Sequence, residues 1–316
     1  MTAGQSPPWT IIRVLRWAQN YLQHQGISEP RASAAVLLAH CLRCTRLDLY
    51  LRYDQPLSPG ELDCYKRLLR RRLAHEPTQY ITGHQEFWSL DFLVSPAVLI
   101  PRPETELIIE AVLRYVAHLP EGAAGRRILD VGTGSGVLAV VLAKELAQVQ
   151  VVALDYADAA LMVARENCRR HGVQDRVTLI QGDLLAPLAW RSAFDVIVSN
   201  PPYVPTWEWE QLPPEIKDHE PRLALDGGPD GLRAIRLLLP QVQDRLKPGG
   251  LLALEVGKGQ AAVVARWLEE TSAYDPPRIL PDYQRVGRVV TAVRRPAGNN
   301  SALVDDRFLP IPDELP

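Results

Sequence analysis

Ile128-Leu129-Asp130-Val131-Gly132-Thr133-Gly134-Ser135-Gly136 is an apolar strand that runs into a glycine-rich turn, and Val137-Leu138-Ala139-Val140-Val141-Leu142-Ala143 then opens a helix. Glycines at such a turn permit positive φ and let a ligand approach the backbone closely. Downstream the chain keeps alternating. Strands are expected near 127–131, 150–154, 177–181, 194–199, 249–256 and 287–293, and helices near 137–147, 157–171, 230–246 and 259–270. This alternation predicts an α/β fold, a mostly parallel sheet with helices on both faces. Ligands in open sheets of this class sit outside the carboxyl ends of the strands.

Four polar features fall at such ends: the glycine loop Gly132 to Gly136, Asp155 after Val151-Val152-Ala153-Leu154, Asp183 in Gln181-Gly182-Asp183-Leu184, and Asn200. An acid at the second strand end suits the two hydroxyls of a ribose, and Asp183 is placed to accept from an adenine amino group. A dinucleotide oxidoreductase is the obvious rival, and its fingerprint requires Gly-x-Gly-x-x-Gly. Counted from Gly132, the third glycine position falls on Val137; counted from Gly134 it falls on Ala139, which is tolerated, but the turn then starts two residues late. The register disfavours NAD without excluding it, and S-adenosylmethionine is the expected cofactor.

Asn200-Pro201-Pro202-Tyr203 ends the apolar run Phe194-Asp195-Val196-Ile197-Val198-Ser199. Two prolines stiffen the turn and lack N–H groups, which leaves carbonyls free to accept. The Asn200 side-chain oxygen can take one N–H of a planar –NH2 group, the Pro201 carbonyl the other, and the Tyr203 ring can stack on its face. That suits an amide or exocyclic amine whose nitrogen is to be methylated. The plain alternative is a Pro-rich turn after a core strand.

At 316 residues, one large α/β unit plus a smaller one is the natural expectation. With 47% hydrophobic and 23% charged residues, a net charge of −2 and a pI near 6.4, the chain has ordinary globular composition and no basic footprint. Direct nucleic-acid binding is therefore not expected. Met1 to Trp9 is polar and Pro-rich rather than a secretory leader, and the run Val137 to Ala143 is too short to span a bilayer, so a cytoplasmic location with reduced thiols is expected. Cys41-Leu42-Arg43-Cys44 has the spacing of half a zinc site, with His40 and Cys64 as imaginable partners. A second Cys pair or close His pair is missing, so cysteines filling a small helical core are the better reading and no metal is expected.

Residues 8–75 read as three helices, with caps and first-turn prolines from Ser28-Glu29-Pro30 and Ser58-Pro59-Gly60-Glu61 for the second and third. Residues 1–100 carry 11 Lys/Arg against 8 Asp/Glu, and Lys66, Arg67, Arg70, Arg71 and Arg72 crowd one helix. The cluster is either a solvated face or a contact for an acidic partner. Glu86-Phe87-Trp88, Leu90 to Val94 and Val98 to Ile100 suggest a β-hairpin linker. The organisation is thus a helical domain over 1–83, a hairpin linker over 84–103, a catalytic domain over 104–296 and a loose, disordered tail over 297–316. Between Val204 and Pro221 stand Glu208, Glu210, Glu215, Asp218 and Glu220 against only Lys217. This is either a mobile surface loop or an acidic rim that attracts a basic protein loop.

Over roughly residues 10–295 the chain resembles the class I methyltransferases with an Asn-Pro-Pro-Tyr motif, specifically the protein-(glutamine-N5) methyltransferases that modify peptide-chain release factors. The resemblance rests on Glu76-Pro77-Thr78-Gln79-Tyr80-Ile81-Thr82-Gly83, Glu86-Phe87-Trp88, and Leu99-Ile100-Pro101-Arg102-Pro103-Glu104-Thr105-Glu106. It continues through the glycine loop, Asn200 to Tyr203, Glu220-Pro221-Arg222-Leu223-Ala224-Leu225-Asp226-Gly227-Gly228 and Leu254-Glu255-Val256-Gly257. It implies a Rossmann-like, mostly parallel seven-stranded sheet and S-adenosylmethionine held by Gly132, Thr133, Gly134, Ser135, Gly136, Asp155, Asp183, Leu184 and Asn200. It also implies that Asn200, Pro201, Pro202 and Tyr203 hold the glutamine amide of a Gly-Gly-Gln loop in class 1 release factors, and that the helical domain helps hold the factor. Leu184 stands where relatives look aromatic, and Gln284-Arg285-Val286-Gly287-Arg288 departs from an acidic-plus-glycine pattern. A sister group methylates a glutamine of a ribosomal protein. Amine methylases of DNA and RNA share Asn-Pro-Pro-Tyr, but a base-flipping methylase would carry a clearer basic channel. A non-catalytic S-adenosylmethionine-binding protein is the reading from another class.

Overall fold

Parallel strands buried on both faces read as unbroken apolar runs, and the central sheet is built from such runs. The structure is a computed structural model and describes residues 8–119, 125–189 and 191–296; the tail expected over 297–316 lies outside them. By internal contacts the chain divides into two units, one of residues 1–85, 93–100 and 210–221, the other of 86–92, 101–209 and 222–316.

The first unit is helical. It holds α1 (Ile11–His24), α2 (Pro30–Leu42), α3 (Arg46–Leu51), α4 (Pro59–Leu73) and α5 (Thr78–Thr82). Ile11, Val14, Ala18 and Leu22 repeat at helical spacing and pack with Leu37, Leu38, Tyr65 and Leu69 in one core. Cys41 and Cys44 pack against that core, and the Cys41 thiol donates to the Glu61 carbonyl at 3.4 Å. Ser58 and Glu61 form a reciprocal capping box at α4, as do Thr45 and Asp48 at α3. Ser28 does not cap α2. Glu29 occupies the cap position at φ 47°, Pro30 opens the helix, and the Ser28 hydroxyl donates instead to Glu215 at 2.8 Å. The short helices α3 and α5 go beyond the three that spacing suggests. A two-stranded hairpin follows, β1 (His84–Phe87) and β2 (Leu90–Leu93); Val98 to Ile100, expected as strand, is irregular.

In the second unit, α6 (Glu106–Ala117) precedes β3 (Arg127–Val131), α7 (Val137–Glu145), β4 (Gln150–Asp155), α8 (Asp158–Arg170), β5 (Val177–Gln181) and β6 (Phe194–Ser199). After a short helix in residues 210–221, α9 (Pro214–Lys217), come α10 (Arg233–Arg245), β7 (Leu246–Glu255), α11 (Ala261–Glu270), β8 (Arg278–Pro281) and β9 (Gly287–Val293). The sheet order is β5-β4-β3-β6-β7-β9-β8, parallel from β5 through β7 and antiparallel at β9 and β8. Alternate residues feed opposite faces. Ile128, Val151, Val196 and Leu251 pack with α6 and α7, whereas Leu129, Val152, Ile197 and Leu252 pack with α10 and α11. Every residue of α7 from Val137 to Ala143 is buried, and only Lys144 and Glu145 at its end reach water. No helix among the described residues is long and apolar enough to cross a membrane.

Candidate active site

Sheet register brings three of the sequence-predicted features together. Val131 pairs with Leu154 on one side and Ser199 on the other, so Gly132, Asp155 and Asn200 leave three adjacent strand ends side by side. The first two strands after the chain enters the sheet run outward from β3 on one side, and β6 returns on the other. Such a reversal opens a crevice at the strand ends.

The glycine loop is anchored from several directions. The Gly132 and Thr133 N–H groups donate to the Leu154 carbonyl at 2.9 and 2.8 Å, and the buried Thr133 hydroxyl donates to Asp130 at 2.6 Å. Gly134 N–H donates to Asp155 Oδ2 at 2.8 Å, Ala157 N–H donates to Oδ1 at 2.9 Å, and Asn167 Nδ2 donates to the buried Ser135 carbonyl at 2.8 Å. Gly132, Gly134 and Gly136 all have positive φ. At Gly136 a Cβ would also stand 3.1 Å from Ala164 Cβ, so this glycine sets the close approach of α7 and α8. Burial pushes the Asp130 carboxyl up to about 7, against the Thr133 hydrogen bond. Asp183 is exposed two residues past β5, and Leu184 beside it is half-buried at φ 48°.

The Asn-Pro-Pro-Tyr turn is clamped by segments far away in sequence. Val204 N–H donates to the Leu225 carbonyl and Gly227 N–H to the Val204 carbonyl, both at 2.8 Å. Gln260 Nε2 donates to the Tyr203 carbonyl at 2.9 Å while its Oε1 accepts from Gly257 N–H at 2.8 Å. The wall is tight: a Cβ on Gly231 would lie 2.3 Å from the Tyr203 carbonyl oxygen, and one on Gly227 would lie 2.7 Å from that of Pro202. Among the described residues, nothing donates to the carbonyls of Pro201 and Pro202.

Side chains complete the arrangement. Asn200 Nδ2 donates to Thr105 Oγ1 at 3.0 Å, and Thr105 Oγ1 donates to Glu255 Oε2 at 2.6 Å. The Tyr203 hydroxyl donates to Glu255 Oε1 at 3.0 Å. Burial pushes the Glu255 carboxyl up to about 7; the Thr105 and Tyr203 hydrogen bonds oppose this, Glu104 adds to the rise and Arg288 opposes it. Burial, with Glu255 alongside, holds the Tyr203 phenol far above its ordinary value, so the hydroxyl keeps its proton. Thr105, Glu255 and Gln260 carry no role from sequence alone, although the first two lie in the strings Ile100 to Glu106 and Leu254 to Gly257.

The acidic stretch after the motif is less of a rim than its composition suggests. Glu215 is pinned by Arg72 at 2.9 Å, and Glu220 is buried and accepts from Ile100 N–H at 3.2 Å. The basic cluster shrinks likewise, because Arg72 is buried and Arg71 is paired with Glu76 at 2.7 Å. Chemically, the site presents a rigid carboxamide acceptor and an aromatic ring beside a backbone loop open to a ligand.

Residues 13–83 match the family model described as PrmC N-terminal domain, and residues 111–211 match the methyltransferase small domain. A release factor glutamine methyltransferase of Geobacter sulfurreducens is 46% identical over 267 residues, 84% of this chain and 91% of its own. Another, of Moorella thermoacetica, is 46% identical over 286 residues, 90% of this chain and 99% of its own. Among solved structures, the hMettl16 catalytic domain in complex with MAT2A 3'UTR hairpin 6 aligns with a TM-score of 0.51 at 16% identity, over 71% of this chain and 84% of that one. That likeness shows the fold alone.

Proposed function

The chain belongs to the release factor glutamine methyltransferase family, and from that premise we propose that it methylates the side-chain nitrogen (N5) of the Gly-Gly-Gln glutamine in class 1 peptide-chain release factors, with S-adenosylmethionine as donor. The observation that carries the reading is the orientation of Asn200. With Nδ2 spent on Thr105, Oδ1 is the end left to accept, and an acceptor is what a primary amide NH2 requires.

The residues at the strand ends fit the donor. Gly132 is exposed with its backbone open to a ligand. Asp155 uses one lone pair on each oxygen for backbone N–H groups, and a carboxylate has about four acceptor sites, so capacity remains for ribose hydroxyls. In this reading Gly132, Thr133, Gly134, Ser135 and Gly136 cradle the amino-acid part, Asp155 takes the ribose, Asp183 and Leu184 take the adenine, and the Asn200 backbone lines the methyl end. The bound sulfonium supplies a methyl group already activated for displacement. The protein's part is alignment and electrostatics.

An amide nitrogen is a poor nucleophile because its lone pair is delocalised into the carbonyl. Hydrogen bonds from its two N–H groups to Asn200 Oδ1 and the Pro201 carbonyl favour a more pyramidal, electron-rich nitrogen. Tyr203 fixes the plane of the amide, its ring held by the hydroxyl bond to Glu255. The nitrogen gains the methyl and then loses one proton to water, so no strong base is required.

The test is incubation with labelled donor and, separately, release factors, ribosomal proteins and DNA, followed by mass spectrometry. Label on the Gly-Gly-Gln glutamine is the expected result. Label confined to a ribosomal protein or to DNA overturns the substrate, and no transfer to any of them overturns the activity.

A further inference from the structure

Two buried polar side chains, Thr105 and Glu255, touch neither donor nor substrate in the roles above, yet both lie one or two hydrogen bonds from the residues proposed to hold the substrate. We propose that Glu255 and Thr105 are positioning residues that set the polarity of the Asn200 carboxamide and, through the Tyr203 hydroxyl, the setting of the aromatic ring. The inference rests on the proposed glutamine-methylating function.

Donor and acceptor capacity fixes the orientation of each group. An ionised carboxylate can only accept. Thr105 has a single hydroxyl proton and commits it to Glu255 Oε2 at 2.6 Å. What remains on Thr105 Oγ1 is acceptor capacity, so a carboxamide facing it at 3.0 Å must present Nδ2. The reverse orientation would set two oxygens against each other with no proton between them. Glu255, 1% exposed, therefore decides from two bonds away that Asn200 offers an oxygen rather than an NH2 to its ligand. The other carboxylate oxygen takes the Tyr203 hydroxyl at 3.0 Å, so one buried acid ties together both ends of the Asn-Pro-Pro-Tyr turn.

Protonation of Glu255 breaks the logic. A carboxylic acid can donate to Thr105, which frees the threonine proton to point at Asn200 and removes the reason for Nδ2 to face it. The groups that bear on this proton are Thr105 and Glu104 from the turn before α6, Tyr203 after β6, and Arg288 on β9. Glu104 favours the neutral acid and Arg288 the carboxylate.

The experiment compares wild type, Thr105→Val, Thr105→Ser and Glu255→Gln, with release factor as substrate. Thr105→Val keeps the shape and removes the hydroxyl; kcat is expected to fall about 10- to 100-fold, while KM and the donor Kd move less than about threefold. Thr105→Ser recovers most of the lost turnover. Wild-type kcat falls as pH drops below about 7, whereas Glu255→Gln, already lowered, is flat across that range. Wild-type kcat in Thr105→Val, a Thr105→Ser loss as large as that of valine, or an acid limb unchanged in Glu255→Gln overturns the proposal. If Thr105→Val does not fold, the acid limb decides it: flat in Glu255→Gln supports the proposal, and unchanged from wild type overturns it. If wild type turns over no release factor, the functional reading fails by itself. The positioning role is then judged from hydrogen exchange of the Asn200 side-chain NH2 in 15N-labelled protein: slow in wild type and Thr105→Ser and faster in Thr105→Val supports it, and equal rates in wild type and Thr105→Val overturn it.

Discussion

Asn200→Ala isolates the acceptor on which the proposed chemistry depends. The substitution removes Oδ1, the group that would hold one amide N–H, and Nδ2, which donates to Thr105 at 3.0 Å, but leaves the backbone beside Gly132 in place. Loss of one preorganised hydrogen-bonding group at a reacting centre costs about 10²–10³ in kcat, or about 2.7–4 kcal/mol of transition-state stabilisation. The lost bond to Thr105 is a separate matter of folding, on the order of 1 kcal/mol, or roughly 2–4 °C in Tm for a unit of this size. Single-turnover methylation of a release factor gives the chemical step, and calorimetry gives the donor Kd. The expected pattern is a fall of about 10²–10³ in turnover, a donor Kd within about threefold of wild type and a small drop in Tm. Turnover within about threefold of wild type, with donor binding unchanged, would refute the assignment of Asn200 as the amide's acceptor.

Further outcomes test other parts of the molecule. Gly227→Ala would drive a Cβ to 2.5 Å from the Gly231 carbonyl oxygen and 2.7 Å from that of Pro202; neither backbone can yield, so a loss of about 1–3 kcal/mol in denaturant unfolding and reduced turnover are expected. Asp155→Asn leaves a neutral side chain where an anion accepts two backbone N–H groups, and the donor Kd by calorimetry should weaken about tenfold or more, with kcat largely kept at saturation. Burial raises the Glu215 carboxyl, but hydrogen bonds from Arg72, its own backbone and Ser28 outweigh this and hold it down at about 2. A depressed carboxyl contributes stability that is present above its unfolded value of 4.5 and lost as pH falls towards 2, so circular dichroism should show acid-sensitive helix in that window. Arg72→Met should weaken that dependence and cost about 1.5–3 kcal/mol at neutral pH, because half-buried Glu215 loses its charged partner and keeps the Ser28 hydroxyl; adding Glu215→Leu should restore most of the loss.

The sheet was largely legible because its strands are apolar on both faces. Phe194 to Ser199 is buried throughout, and runs of that kind announce themselves. β8 did not, since Arg278, Ile279 and Pro281 are exposed on an edge strand and supply no periodic signal. The short helices α3 and α5 depend on local caps and tertiary packing rather than on a repeating stripe. At the site, residues at strand ends could be found by counting along the chain. The Thr105–Glu255 pair could not, because its two members are 150 residues apart and meet only when α6 and β7 are in place. The acidic segment misled for the opposite reason: composition counts charges but does not say which are spent, and Glu215 and Glu220 are both spent on partners within the helical unit.

Residues 210–221 have a consequence for anyone cutting this gene. They are read out midway through the methyltransferase sequence, yet they fold as part of the helical unit, where Arg72 and the Ile100 amide await them. A fragment starting at Glu104 would thus be no trimmed enzyme. It would carry an insert whose Glu215 had lost Arg72 and whose Glu220 had lost the Ile100 amide, and the natural unit of expression is the whole chain.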